Sequence, residues 1–222
     1  MTDNKPVVEA KNLTKRYADK SVVNGIDFQV MPGECFGILG PNGAGKTTTL
    51  RMLVGLTPKD GGTLEVFGLP MNPNQTETPS RLGVVAQDNS LDIDLTVREN
   101  LLVYGRYFGL STAELKERVD PLLSFAQLGD RGDALVRELS GGMQRRLVIA
   151  RSLIASPKLV ILDEPTTGLD PQARHLIWQK LRRLKETGVT LVLTTHYMEE
   201  AAQLCDRLMV LDKGRILDQG SP

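Results

Sequence analysis

Gly40-Pro41-Asn42-Gly43-Ala44-Gly45-Lys46-Thr47 has the spacing G-x-x-x-x-G-K-[ST], which suits one chemistry above others, the holding of a chain of phosphates. Glycines let the backbone N–H groups of Asn42, Gly43, Ala44 and Gly45 turn inward. A helix starting at Lys46, Thr47 and Thr48 adds its own free N–H groups and a partial positive charge. The Lys46 ammonium reaches the β- and γ-phosphates, and the Thr47 hydroxyl is placed to ligate Mg2+. A second constellation, Leu159-Val-Ile-Leu-Asp163-Glu164, is an apolar run ending in two adjacent carboxylates, which is costly unless a cation or proton chemistry uses them. Side chains alternate along a strand, so the two should point apart: Asp163 toward Mg2+, Glu164 toward a water attacking the γ-phosphate. The third is Leu139-Ser140-Gly141-Gly142-Met143, where consecutive glycines weaken a helix by about 1 kcal/mol each and leave bare N–H groups suited to an anion. One phosphate loop already holds one nucleotide, so a second anion site implies a nucleotide shared between two chains.

These groups need elements to place them. The apolar run 35–40 reads as a strand covered on both faces, and Leu50, Leu53, Val54 and Leu56 recur at helical spacing behind the loop. Around them the first third reads as strands over 7–17, 21–30, 63–68 and 81–87, with turns at 31–34 and 58–62. From about 88 to 140 the pattern becomes that of a small helical lobe, announced by two capping-box spacings, Thr96 to Glu99 and Ser111 to Glu114. Alternation then returns: helix 141–155, strand 158–163, helix 171–186, strand 190–195, helix 198–205, strand 207–214. Asp170-Pro171 supplies an N-cap followed by a proline in the first turn. The expected fold is α/β: a P-loop NTPase core with a mostly parallel sheet, an N-terminal antiparallel β subdomain and a small α-helical lobe. It fills 1–222 as one domain, with 1–87 and 141–222 as the core and 88–140 as the lobe.

Composition narrows the classes. In 222 residues Lys+Arg and Asp+Glu both count 27, so no net field favours nucleic acid or an anionic membrane surface. With 41% hydrophobic and 24% charged residues the chain is that of an ordinary globular protein, which excludes disorder, collagen and a disulfide scaffold. Cys35 and Cys205 sit in no metal or redox spacing and read as buried free thiols. No stretch approaches the roughly 18 apolar residues of a membrane helix, and the start lacks a signal-peptide core, so a cytoplasmic location is expected. Aromatics make up only 5%, which makes any exposed one worth locating.

The three constellations together resemble the ATP-binding cassette family, the motor subunits of ABC transporters, over nearly the whole chain. The Ser-Gly-Gly segment matches the family's signature motif, departing from the commoner LSGGQ only at Met143. The resemblance implies further roles. Gln87 matches the Q-loop glutamine, which contacts Mg2+ and the attacking water and faces the membrane subunit. Tyr17, with Val22 as its apolar neighbour, matches the aromatic that stacks on adenine, Asp170 lies in the D-loop that crosses to the partner chain, and His196 matches the switch histidine at the γ-phosphate. His175 carries no role beyond surface packing. The resemblance further implies ATP and Mg2+ as cofactors, a head-to-tail homodimer or pseudo-dimer sandwiching ATP, a separate permease subunit, no nucleic acid, and a place on the inner face of the cell membrane. Segments such as GVVAQDNSLDIDLTVRENLLVYGRYFGL look like the exporter branch for drugs, polysaccharides and lipo-oligosaccharides, and most like its nodulation-factor exporter ATPases.

Two rival classes fit less well. Cassettes of DNA repair carry long coiled-coil insertions between phosphate loop and signature, and those of the ribosome usually carry two cassettes, whereas here Ser140 follows Lys46 by only 94 positions in a single cassette. A phosphate-loop kinase or GTPase would lack the Ser-Gly-Gly segment.

Overall fold

The computed structural model describes residues 5–71 and 81–222. In chain order its strands are β1 (Val8–Tyr17), β2 (Lys20–Val30), β3 (Cys35–Leu39), β4 (Gly61–Val66), β5 (Leu69–Pro70), β6 (Leu82–Val85), β7 (Leu159–Asp163), β8 (Thr190–Thr195), β9 (Arg207–Asp212) and β10 (Arg215–Gly220). The α-helices are α1 (Lys46–Leu53), α2 (Val97–Tyr107), α3 (Thr112–Ala126), α4 (Gly141–Ser152), α5 (Pro171–Glu186) and α6 (Met198–Leu204).

The first strands form an antiparallel sheet in the order β2-β1-β4-β5. Val8, Ala10 and Leu13 of β1 turn inward while Lys11 and Arg16 face solvent, so this sheet has one wet face. The larger sheet has the order β10-β9-β3-β8-β7-β6, parallel from β9 to β6 with β10 antiparallel at the edge. Its central strands β3, β7 and β8 are buried at every residue, as a strand covered on both faces requires. One face carries α1 and the antiparallel sheet, joined where the rings of Phe28 and Phe36 stack with centroids 5.7 Å apart. The other carries α5 and α6 around Ile177, Trp178 and Leu181. The α-helices between 88 and 140 have a core of their own, built on Leu101, Leu115, Val119 and Leu123. α4 is shared. Leu147 and Ala150 pack into that helical core while Val148 and Ile149 pack against the large sheet.

Both capping boxes form: Glu99 N–H donates to Thr96 Oγ1 at 3.1 Å and Thr96 N–H to Glu99 Oε2 at 2.8 Å, with the same reciprocal pair between Ser111 and Glu114. Asp170 caps α5 as its spacing implies.

Several expectations need correction. The turn assigned to 58–62 is shorter, because Gly61 and Gly62 already belong to β4, where Gly61 pairs with Thr14. Gly62 has φ +75°, and a Cβ there would lie 2.2 Å from the Asn12 carbonyl oxygen, so the glycine serves strand contact. Leu56 lies beyond α1 and is 73% exposed, so it is not part of the helix's apolar face. Ala86 and Gln87 leave the sheet at the end of β6, α4 stops at Ser152, and β10 follows a tight turn at Lys213-Gly214 where continuation of β9 was expected. Cys35 and Cys205 are both free and buried, as expected. Among the described residues no helix is long and apolar enough to cross a membrane.

Candidate nucleotide site

The order and register of the large sheet assemble the site. Leu39 lies opposite Thr195 and Thr194 opposite Asp163, so the carboxyl ends of β3, β8 and β7 stand side by side. β6 extends the row. The segments leaving these four strands carry Lys46, His196, Asp163 with Glu164, and Gln87, residues up to 150 positions apart in sequence (196 minus 46) brought to one edge.

Gly45 caps α1 with φ +109°, and a Cβ there would lie 2.6 Å from the Val22 carbonyl oxygen, so only glycine lets the loop lie on β2. This contact sets half-buried Val22 against the loop, and Tyr17, at the end of β1, is 45% exposed. No side chain caps α1, so the N–H groups of Lys46, Thr47 and Thr48 at its start remain available to an anion. Lys46 is 4% exposed, and its Nζ donates to the carbonyls of Gly40 (2.8 Å) and Pro41 (3.1 Å).

The two carboxylates point apart. Asp163 Oδ1 accepts from the hydroxyls of Thr47, at 3.2 Å, and Thr194. Glu164 Oε1 lies 3.3 Å from Lys46 Nζ, while Oε2 accepts from Thr167 Oγ1 at 3.1 Å and faces His196 Nδ1 at 3.4 Å. Burial alone would push the Glu164 carboxyl up; the Thr167 hydroxyl, the Lys46 ammonium and His196 outweigh it and hold it below the ordinary value of 4.5. Glu164 also has φ +45°, a conformation rare outside glycine, steadied by its N–H donating to Thr194 Oγ1 at 3.0 Å. Exposed Gln87 lines a cavity of about 200 Å³ together with Thr47 and Asp163. Thr47, Asp163 and Gln87 offer oxygen donors only, the set a hard divalent cation takes when phosphates complete its shell.

The remaining expected residues stand elsewhere. Among the described residues no hydrogen bond or ion pair joins Ser140, Gly141, Gly142 or Asp170 to this cluster. Ser140 Oγ accepts from Met143 N–H at 3.3 Å, Gly141 borders open space and Gly142 packs toward Ala173 of α5. Asp170 Oδ1 accepts from Ala173 N–H at 2.9 Å. His175 bonds Pro171 O through Nδ1 and packs on Trp178. Thr167, Thr194 and Arg145 are the residues that sequence reasoning missed. Thr194 and Arg145 have partners up to 59 positions away, which no local pattern reveals, whereas Thr167 stands only three residues from Glu164.

With this geometry in place, comparison with known proteins is decisive: residues 23–167 match the ABC transporter family. The chain belongs to that family. It is the ATP-binding, ATP-hydrolysing subunit of a transporter, on the α/β fold expected. The cassette is 56% identical over 215 residues to the Nod factor export ATP-binding protein I of Paraburkholderia xenovorans, covering 97% of this chain and 71% of that one. It is 55% identical over 219 residues to the protein of the same name from Rhizobium sp. (strain N33), covering 99% and 72%. Among solved structures, cbiO1 of Clostridium perfringens, part of the ABC transporter complex cbiONQ, superposes with a TM-score of 0.89 at 28% identity, covering 98% of this chain and 89% of that one. The cassette MJ0796, a dimer in a post-hydrolysis state bound to ADP and Pi, gives 0.85 at 27% identity, covering 96% and 98%.

Proposed function

We propose that two copies of this cassette, or this chain and a second cassette, bind head to tail and sandwich ATP between the Lys46 loop of one and the Ser140-Gly141-Gly142 helix start of the other. The supporting observation is the division of the site: Lys46, Thr47, Asp163, Glu164 and His196 touch one another, while the second anion-binding helix start of the same chain opens to solvent. The dimeric MJ0796 structure agrees with this reading.

Within each site the Asn42–Thr48 loop holds the phosphates, and Tyr17 with Val22 receives the adenine. Lys46 exchanges its carbonyl and Glu164 contacts for β- and γ-phosphate oxygens. Mg2+ held by Thr47, Asp163 and Gln87 would neutralise charge on those oxygens. Glu164, ionised at neutral pH, orients and deprotonates the attacking water; His196 stabilises charge at the γ-phosphate. Asp170, at the start of α5, contacts the partner. Loss of the γ-phosphate removes the Ser140 contact and lets the dimer open.

Motion passes to a separate membrane-spanning permease through residues 88–140, the lobe of the cassette. A groove of about 430 Å³ lies between it and the large sheet, lined by Val84, Ala86, Asp88, Val103, Tyr104 and Tyr107. Tyr107 is 83% exposed, Val103 adds exposed apolar surface in the groove, and Leu56 adds it in the Gln87 cavity beside it. Such a patch marks a protein contact. The cassette therefore sits at the cytoplasmic face of the membrane, and the names of its relatives, Nod factor export ATP-binding proteins, favour export. Glu164→Gln tests the assignment: ATP affinity within about threefold of wild type and turnover reduced at least about 100-fold are expected. Unchanged phosphate release would sink it.

A further inference from the structure

Arg145 carries a charge in a place where charge is expensive. It is 4% exposed on α4, five positions beyond Ser140, and among the described residues it forms no ion pair. Burial pulls its pKa down to about 10, which leaves the guanidinium protonated at neutral pH.

Its donors go almost wholly to backbone carbonyls, and those lie on two separate segments. Nη1 donates to Ala86 O at 2.6 Å and Gln87 O at 3.2 Å, with Asn89 Oδ1 at 3.5 Å. Nη2 donates to Asp163 O at 3.0 Å and Glu164 O at 3.3 Å, and Nε to Pro165 O at 2.8 Å. The planar fork thus ties the loop bearing Gln87 to the turn bearing Asp163 and Glu164, a span that a single ammonium could not bridge. Glu164 is where such a tie matters, because its φ of +45° persists only if the surroundings hold it. Thr194 Oγ1 takes its N–H on one side; Arg145 binds its carbonyl on the other.

We infer that Arg145 is a positioning residue: it locks the backbone of Glu164 and Gln87 to α4, so that the helix bearing Ser140–Gly142 and the water-orienting carboxylate move as one unit. The inference rests on the proposed role of Glu164. Arg145 stands about 7.5 Å along the helix axis from Ser140, at 1.5 Å per residue, on the one continuous helix that Ser140 caps, so a shift of the helix start shifts the guanidinium and the carbonyls it holds.

The test measures ATP affinity, by fluorescent ATP analogue, and phosphate release for Arg145→Gln and Arg145→Lys beside wild type and Glu164→Gln. Arg145→Gln should bind ATP within about threefold of wild type while kcat falls at least about tenfold; Arg145→Lys, keeping the charge but not the fork, should fall between. Parallel loss of ATP binding and turnover in a folded Arg145→Lys protein would reduce the residue to a general structural role and overturn the inference. Turnover within twofold of wild type in both variants would overturn it as well. Should Arg145→Gln fail to fold, Arg145→Lys decides alone: a kcat loss of threefold or more at unchanged affinity supports the lock, and wild-type kcat refutes it. Full activity in Glu164→Gln would instead remove the premise, an outcome distinct from the others.

Discussion

The starts of α1 and α4 make an instructive pair, since glycines precede or open both helices and both read from sequence as places for an anion. At α1 the cap residue Gly45 donates no side chain, the lysine that follows is 4% exposed, and Thr47, Asp163, Glu164 and His196 close around it. At α4 the Ser140 hydroxyl satisfies the Met143 N–H, Gly141 looks into open space, and the nearest packing is Gly142 on Ala173. The first site is finished within one chain. The second offers backbone donors and the Ser140 hydroxyl without the acidic and basic side chains gathered at α1, and in the proposed sandwich it meets another chain's nucleotide.

Three experiments break or sharpen that comparison. Lys46→Ala strikes the self-contained start and should weaken ATP binding by at least about 100-fold in a calorimetric titration, since the buried charge facing the phosphates is lost; normal affinity would break the reading of α1. Ser140→Arg strikes the other start and should leave monomer ATP affinity within about threefold while abolishing the ATP-dependent dimer; a wild-type dimer would mean that α4 does not receive a shared phosphate. The smallest effect concerns pH. Glu164 has a lowered folded pKa, so whatever stability its contacts with Thr167, Lys46 and His196 contribute is present above the ordinary value of 4.5 and is lost as pH falls through the folded value. The difference in Tm between wild type and Glu164→Gln should therefore shrink below about pH 4.5; a difference that grew with acid would contradict the direction.

The legible and illegible parts of this molecule separate on physical grounds. The phosphate loop, the capping boxes at Thr96 and Ser111, and the Asp170-Pro171 helix start were readable because each is a bargain between neighbours in sequence. So was the alternation that yields a parallel sheet. The order β3-β8-β7-β6 was not readable from spacing, yet it is what delivers Lys46, His196, Glu164 and Gln87 to one edge. Thr194, which takes the Glu164 N–H and donates to Asp163, looks like one more residue of an apolar run until the strands are paired. Arg145 reads as a polar residue on a helix, and only the packing of α4 against both the helical core and the large sheet turns it inward. Leu56 failed in the opposite sense: helical spacing suggested core, but the helix ends before it.

The most direct test of the two-chain site is the mass of Glu164→Gln in solution, by size-exclusion chromatography with light scattering, with and without ATP and Mg2+. The 24.4 kDa chain should run as a monomer without nucleotide and at twice that mass with it, and Ser140→Arg added to the same chain should abolish the shift. A monomer that persists at saturating ATP, with binding shown to be intact, would contradict the shared site.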